Sequence, residues 1–95
     1  MTTRITNAHL ESLIEDLNNI TNSPAEYYDE ATRKANVGNY HLSGAYGGVK
    51  LVRTVNDAGG IRDVLGTGYV SKRDCYNAIR CYLQGMQDAQ RTLEA

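Results

Sequence analysis

The sequence predicts an α+β fold in the order helix, three-stranded antiparallel β-meander and long C-terminal helix. Two stretches with apolar residues at helical spacing, one near each end of the chain, predict the helices. Between them, residues 38–74 hold three short extended runs separated by glycines. The loops between the runs are short, whereas a parallel crossover needs about a dozen residues or more, so the strands are expected to be antiparallel. The 95 residues are expected to form a single domain, 1–95.

The first helix is predicted from apolar residues that recur at i, i+3, i+4 and i+7. Thr6 or Asn7 can cap its start, because a side-chain oxygen there accepts from the free N–H groups of the first turn. The helix is expected to end within residues 19–21, because the sequence before Pro24 is typical of a turn. The apolar residues are Leu10, Leu13, Ile14, Leu17 and Ile20, and Glu11, Glu15, Asp16, Asn18 and Asn19 are placed elsewhere on the helical wheel.

Residues 24–37 lack a clean period of either kind. Two interpretations remain open: a short helix with Pro24 in its first turn, or an ordered loop. Tyr27 and Tyr28 are expected to anchor the segment onto the rest of the domain.

The three extended runs are 39–46, 49–56 and 61–65. Gly47 and Gly48 supply the positive φ that a tight hairpin turn needs. The second run is rich in β-branched residues, which favour strands. Its alternation places one charged side chain on a mostly apolar face, which consists of Val49, Leu51, Arg53 and Val55.

The last helix is predicted to begin at Ser71, where the sequence up to Asp74 resembles a capping box. Apolar residues then follow helical spacing over about five turns. Gly85 lies inside this helix, where glycine costs about 1 kcal/mol relative to alanine. Either it is simply tolerated there or, as the favoured interpretation, it allows a close approach to another backbone. Both helices are expected to cover one face of the sheet, with the other face open or paired with a second copy.

Charge and hydropathy narrow the classes of function. The net charge of −1 argues against broad electrostatic binding of nucleic acid. Acidic residues dominate 1–37 and basic residues dominate 38–95, which fits either a mixed solvated surface or two complementary faces that self-associate. The N-terminus lacks the apolar region of a signal peptide, and no apolar run approaches about 18 residues, so no membrane partner is expected.

No metal site, cofactor or catalytic site is expected. His9, His41, Cys75 and Cys81 lack the spacing of a zinc ligand set. Cys75 follows a helix start, where a thiolate is favoured, but it also belongs to the apolar stripe, so burial as a small hydrophobic residue is preferred. The two cysteines face different sides of one helix and are too far apart for a disulfide, which suits a reducing compartment. The protein is therefore not expected to be an enzyme.

The candidate binding residues form a basic and tyrosine-containing set. Arg53 is the most informative member, because an unpaired charge on an apolar face is costly. It is expected either to pair with Asp63 or Asp57 across the hairpin, or to project from the open sheet edge onto an anionic ligand or an acidic protein. The full set is Arg53, Lys50, Tyr46, Tyr69, Lys72 and Arg73.

A signature runs through most of the chain: a glycine pair, a strand with Leu and Arg, an Asn-x-x-Gly-Gly loop, a basic-acidic helix start and a late glycine. The residues are Gly47, Gly48, Leu51, Arg53, Asn56, Gly59, Gly60, Lys72, Arg73, Asp74 and Gly85. With the stretches 5–24, 39–55 and 59–83, this signature resembles small accessory proteins encoded by tailed bacteriophages and prophages. The resemblance implies a virus-encoded protein of the host cytoplasm, without an assigned activity.

Three functions are consistent with these observations. The leading hypothesis is a non-enzymatic binding protein that acts on a host protein, as a host-takeover or anti-defence inhibitor, because Tyr and Arg are favoured at protein interfaces. The second is an oligomer that sequesters a nucleotide-type anionic ligand through the basic residues above. The third is weak nucleic-acid binding by the basic C-terminal half. A homo-oligomer is expected, because so short a chain leaves a sheet face open.

Overall fold

The computed structural model describes residues 4–94, with side chains through Thr92, and confirms the α+β architecture. A helix is followed by antiparallel strands in two small sheets and then by a long C-terminal helix. The elements are α1 (Asn7–Ile20), β1 (Tyr28–Asp29), β2 (Lys34–Ala35), β3 (Tyr40–Ala45), β4 (Gly48–Thr54), β5 (Ile61–Asp63) and α2 (Lys72–Glu94).

Local sequence sets the start of each helix. Thr6 caps α1 and forms a capping box with His9, in which each side chain bonds the other residue's backbone N–H. At α2, the Ser71 hydroxyl accepts from the Asp74 N–H at 3.1 Å. Both predicted helix starts are therefore confirmed.

The main sheet is a meander in the order β3-β4-β5, as predicted, with both pairs antiparallel. Ala45 pairs with Gly48 across a two-residue turn in which Tyr46 and Gly47 both have positive φ, 54° and 74°, the geometry of a type I′ hairpin. Tyr46 is therefore a turn residue, and Gly48 belongs to β4 without a positive φ. The predictions that Tyr46 ends the first strand and that Gly48 supplies a positive φ were both wrong.

Both helices pack on the same face of this sheet, α1 against β3 and α2 against β4. The core lies between these two layers, where burial of apolar side chains supplies the main favourable free energy of folding. Its buried members are Leu10, Ile14, Leu17, Tyr40, Val49, Leu51, Cys75, Ile79 and Leu83.

The segment 24–37 is not a helix: it is an ordered loop that holds the second sheet, the hairpin β1–β2. The Asp29 carboxylate accepts from the N–H of Ala31 and of Thr32, and Arg33 takes a positive φ of 59°. These features close the hairpin loop. The helical interpretation of this segment was wrong, because local side-chain hydrogen bonds compete with helix formation.

The face of the main sheet that points away from the helices is partly covered. Val52 and Thr54, both on that face of β4, are buried. The Tyr27 ring packs on His41, with ring centroids 4.9 Å apart, and the Tyr69 hydroxyl lies 3.1 Å from the Ser43 hydroxyl. The expectation of an open face was therefore wrong over its centre.

Two further predictions concern Gly85 in α2 and the possibility of a membrane-spanning helix. Gly85 is exposed, and a Cβ placed there would meet nothing within 4 Å, so its predicted close approach to another backbone does not occur within the described chain. Among residues 4–94, neither α1 nor α2 has an apolar stretch long enough to span a membrane.

Candidate binding site

The structure brings three of the six predicted binding residues together. Lys50 lies with its ammonium nitrogen 4.5 Å from the centroid of the Tyr69 ring, a cation–π contact. Tyr46 packs edge-on against the same ring, at 5.7 Å between centroids, and is itself 95% exposed. This group lies at the hairpin end of the sheet, on the face away from the helices.

Arg53 lies apart from that group, on the opposite face of β4. Its guanidinium carbon sits 4.7 Å above the Tyr40 ring, and its Nε donates to the Gly38 carbonyl at 3.1 Å. The side chain is half-buried by these contacts. The two predicted anion-binding residues Lys50 and Arg53 therefore do not converge on one ligand.

The expected ion pair of Arg53 is not formed. The Asp63 carboxylate instead accepts from the N–H groups of Gly66 and Gly68, at 3.0 and 2.9 Å. Asp57 lies 3.7 Å from Lys34. The Asp63 carboxylate thus serves a turn and Asp57 pairs with Lys34 of β2, while the positive charge of Arg53 is balanced by the Tyr40 ring and a carbonyl oxygen.

Lys72 and Arg73 occupy the first turn of α2, where both are exposed. The Arg73 residue is not without an interaction partner. The predicted site therefore has three parts: the Lys50 group, Arg53 on Tyr40, and the start of α2.

A different feature emerges at the outer edge of β3. Asn18, only 4% exposed, reaches from α1 to the backbone of Tyr40. Its side-chain oxygen accepts from the Tyr40 N–H at 2.9 Å, and its amide donates to the Tyr40 carbonyl at 3.1 Å. Asn18 therefore replaces one residue of a neighbouring strand, and the Tyr40 backbone groups point away from β4.

Alternation along a strand extends this result to the rest of the edge. Leu42 and Gly44 lie two and four positions beyond Tyr40, so their N–H and C=O groups also point away from β4. No described residue bonds to these groups. Gly44 is exposed and Leu42 is half-buried. The edge of β3 thus presents two N–H and two C=O groups in line, without partners among residues 4–94.

A cleft of about 960 Å³ borders the first half of this strand, as far as Leu42, and reaches Gly59 and Ile61 near β5. One wall comes from α1, where Glu11 and Glu15 are exposed, and another comes from the loop before β1, with Glu26 and Tyr27. His41 also lines it, and burial lowers the pKa of its imidazole, an effect that hydrogen bonding to Asn39 partly offsets. The cleft combines an unpaired strand edge with acidic walls.

Thiolate or phenolate chemistry at Cys75 or Tyr82, and metal binding, are disfavoured by the surroundings of the side chains concerned. Cys75 is buried, as predicted, and this burial, reinforced by the negative charge of Asp63, raises the pKa of its thiol. Burial and the contact with Tyr40 raise the pKa of Tyr82 to about 12. Both groups therefore stay protonated at neutral pH. In the part of the chain that the structure describes, no three His, Cys, Asp or Glu side chains gather where they could hold a metal ion.

Sequence reasoning missed Asn18, which it assigned to the polar part of the helical wheel. The available signal was its position one residue after Leu17 and four after Ile14, next to the apolar stripe. A polar residue at the margin of such a stripe faces a neighbouring element, where a strand edge can satisfy it.

Comparison of the chain with models of known protein families, with curated proteins and with solved structures found no match.

Proposed function

We propose that this protein is a non-catalytic binding domain that captures an extended segment of another protein by adding it as a strand beside β3. The observation that carries this proposal is the free edge of β3, where the backbone groups of Leu42 and Gly44 are unpaired and Leu42 lines a cleft. Strand addition of this kind uses main-chain hydrogen bonds for affinity and side-chain pockets for specificity.

The binding free energy requires contributions from both the strand edge and the cleft. Four backbone hydrogen bonds contribute about 2–6 kcal/mol in total, at about 0.5–1.5 kcal/mol each. Ordering a flexible segment and losing its free motion cost a comparable amount. The edge alone therefore supports only weak binding, and the cleft must add side-chain contacts. Tyr27, half-exposed in that cleft, offers the type of side chain that dominates interface energies.

The residues of β3 itself support the same interpretation. Its sequence, Tyr-His-Leu-Ser-Gly-Ala, holds none of the Lys, Glu or Pro residues that commonly protect sheet edges from unwanted pairing. Gly44 adds a place where a second backbone can approach without meeting a side chain. An edge that is left accessible in this way is suited to binding.

From the resemblance to phage accessory proteins, we propose that the partner is a host protein with an exposed extended segment, whose activity the domain would inhibit. Binding of an anionic ligand or of nucleic acid has less support, because Lys50 and Arg53 lie on opposite faces of β4. The cleft walls described here are acidic, which opposes a negatively charged ligand in that position.

The proposal is tested with peptides and amide hydrogen exchange. Three short peptides would carry Val or Thr at every second position and Lys, Gln or Glu at the others. On binding of at least one of them, the amides of Leu42 and Gly44 are expected to become protected from exchange. The amide of Ser43, which alternation points toward β4, serves as the internal reference, because it is already protected.

Gly44→Pro provides the decisive variant. Proline removes only the outward N–H and places its ring on the edge, a position at which strands tolerate proline. It is expected to abolish binding while the fold is kept, whereas the control Gly44→Ala retains the N–H and binds. A peptide N-methylated on its pairing residues tests the same bonds with wild-type protein. Binding that survives both changes, or no binding by any peptide, contradicts strand addition.

A further inference from the structure

We propose that the segment captured beside β3 is basic, with Lys or Arg at alternate positions. This inference rests on the proposed function, since it names the chemistry of the partner at the same edge. The site itself is the unpaired strand edge with its cleft, and the charges around it identify the occupant.

The charge of the cleft has one sign. Glu11, Glu15 and Glu26 line it and are exposed, and among the described residues its walls include no Lys or Arg. None of the three carboxylates forms an ion pair among the described side chains, those of residues 4–92, where the one salt bridge joins Lys34 to Asp57. Complementary charge across an interface accelerates encounter and selects partners, so the cleft selects for positive charge.

The spacing of the acidic residues fits an extended chain. Glu11 and Glu15 are one helical turn apart on the same side of α1, about 6 Å along its axis. Side chains at alternate positions of a strand project to one face about 6.6 Å apart. These spacings are nearly equal, so two basic residues at positions i and i+2 of an added strand that runs alongside α1 would each face one of the two carboxylates.

A second copy of this chain fits the site less well. Its own β3 holds no Lys or Arg, so it cannot supply the complementary charges. Pairing of two β3 edges would also bring the acidic walls of both copies together, and like charges placed opposite each other oppose association. The occupant is therefore a basic segment of a different protein.

The test compares the Lys, Gln and Glu peptides by titration at low and at high salt. The Lys peptide is expected to bind wild-type protein about tenfold more tightly than the Gln peptide at low salt, and the difference should shrink at high salt. The double variant Glu11→Gln/Glu15→Gln should weaken Lys-peptide binding about three- to tenfold and leave Gln-peptide binding unchanged.

The control variant is Asp16→Asn/Glu30→Gln, which removes the same amount of charge from exposed residues outside the cleft. It should leave the affinity for the Lys peptide unchanged. An equal loss in both double variants would mean that net charge, and not the cleft, attracts the peptide, and would overturn the inference.

The remaining outcomes separate this inference from the proposed function. If the Gln or Glu peptide binds as tightly as the Lys peptide and still loses binding in Gly44→Pro, the basic preference is wrong and strand addition stands. If no peptide binds, both are wrong. If light scattering shows a dimer that Gly44→Pro dissociates, the edge belongs to a second copy, which overturns the inference.

Discussion

The two edges of the three-stranded sheet are treated differently by this fold. β5 has only three residues, two of them charged, and short charged edge strands resist unwanted pairing. Beyond it the chain continues alongside β4, with hydrogen bonds of 2.8 and 2.9 Å between Val49 and Val70. β3 has six residues and no charge, and Asn18 occupies only its first outward position.

This difference shows that a sheet of only three strands can protect one edge, so the accessible edge of β3 does not follow from the small size of the sheet. On the β5 side, the chain keeps β5 short and charged and covers the adjoining part of β4 with the backbone of Val70. On the other side, it leaves β3 accessible beside an acidic cleft. Asn18 sets the limit of the accessible part, because it ends at Tyr40 and leaves Leu42 and Gly44 without partners. Substitutions at either edge of the sheet test this difference.

The largest effect is expected at Asn18. In Asn18→Ala, the Tyr40 N–H and C=O lose both partners, and buried backbone groups left unsatisfied cost about 1–3 kcal/mol each. We expect the free energy of unfolding to fall by about 2–4 kcal/mol, measured by chemical denaturation.

The neighbouring substitution Asn19→Ala is the matched control, because Asn19 is exposed on the same helix. It should change the free energy of unfolding by less than about 0.5 kcal/mol. Equal effects in the two variants would show that helix propensity, and not the bond to Tyr40, determines the loss.

The next effect is expected on the β5 side of the sheet, where the Val70 backbone covers β4. A Cβ at Gly48 would lie 2.9 Å from the Val70 carbonyl oxygen, whereas one at Gly44 would meet nothing closer than 3.8 Å. Gly48→Ala is therefore expected to displace the Val70 segment and to cost about 1–3 kcal/mol, the usual range for overpacking. Thermal denaturation measures the loss.

Gly44→Ala is the control at the open edge, where stability should be unchanged or slightly higher, because alanine reduces the entropy of the unfolded chain. A Gly48→Ala protein as stable as wild type would mean that the chain around Val70 moves freely, and the contrast between the two edges would then be smaller than described.

Much of this fold follows from local sequence. The apolar periodicities of α1 and α2 and the glycine turn before β4 specify elements that need only nearest neighbours in the chain. The hairpin β1–β2 did not emerge, because each strand has only two residues and no period can be read from so few. Its closure depends on the Asp29 side chain and on Arg33 in a left-handed conformation.

The candidate site was predicted less well than the fold, for a physical reason. Alternation correctly placed Arg53 on the apolar face of β4, but its partners, the Tyr40 ring and the Gly38 carbonyl, come from another strand and a loop. Their approach depends on strand register, which sequence periodicity does not fix between strands. The pairing of Asn18 with Tyr40 joins residues 22 positions apart and depends on how α1 packs on β3.

The smallest expected effect is a dependence of stability on pH at the open edge. Burial lowers the pKa of His41 below its ordinary value of 6.5, so the unfolded chain takes up this proton before the folded chain does. Stability contributed by neutral His41 is thus complete above pH 6.5 and is lost as the pH falls below that value toward the lowered pKa of the folded state.

The melting temperature of the wild type should therefore fall between neutral pH and mildly acidic pH, and the fall should be smaller in His41→Gln. Amide exchange should locate the loss in β3 and the Tyr27 loop, while β5 is unaffected. If β5 loosens equally, protonation acts on the whole sheet and does not distinguish its two edges.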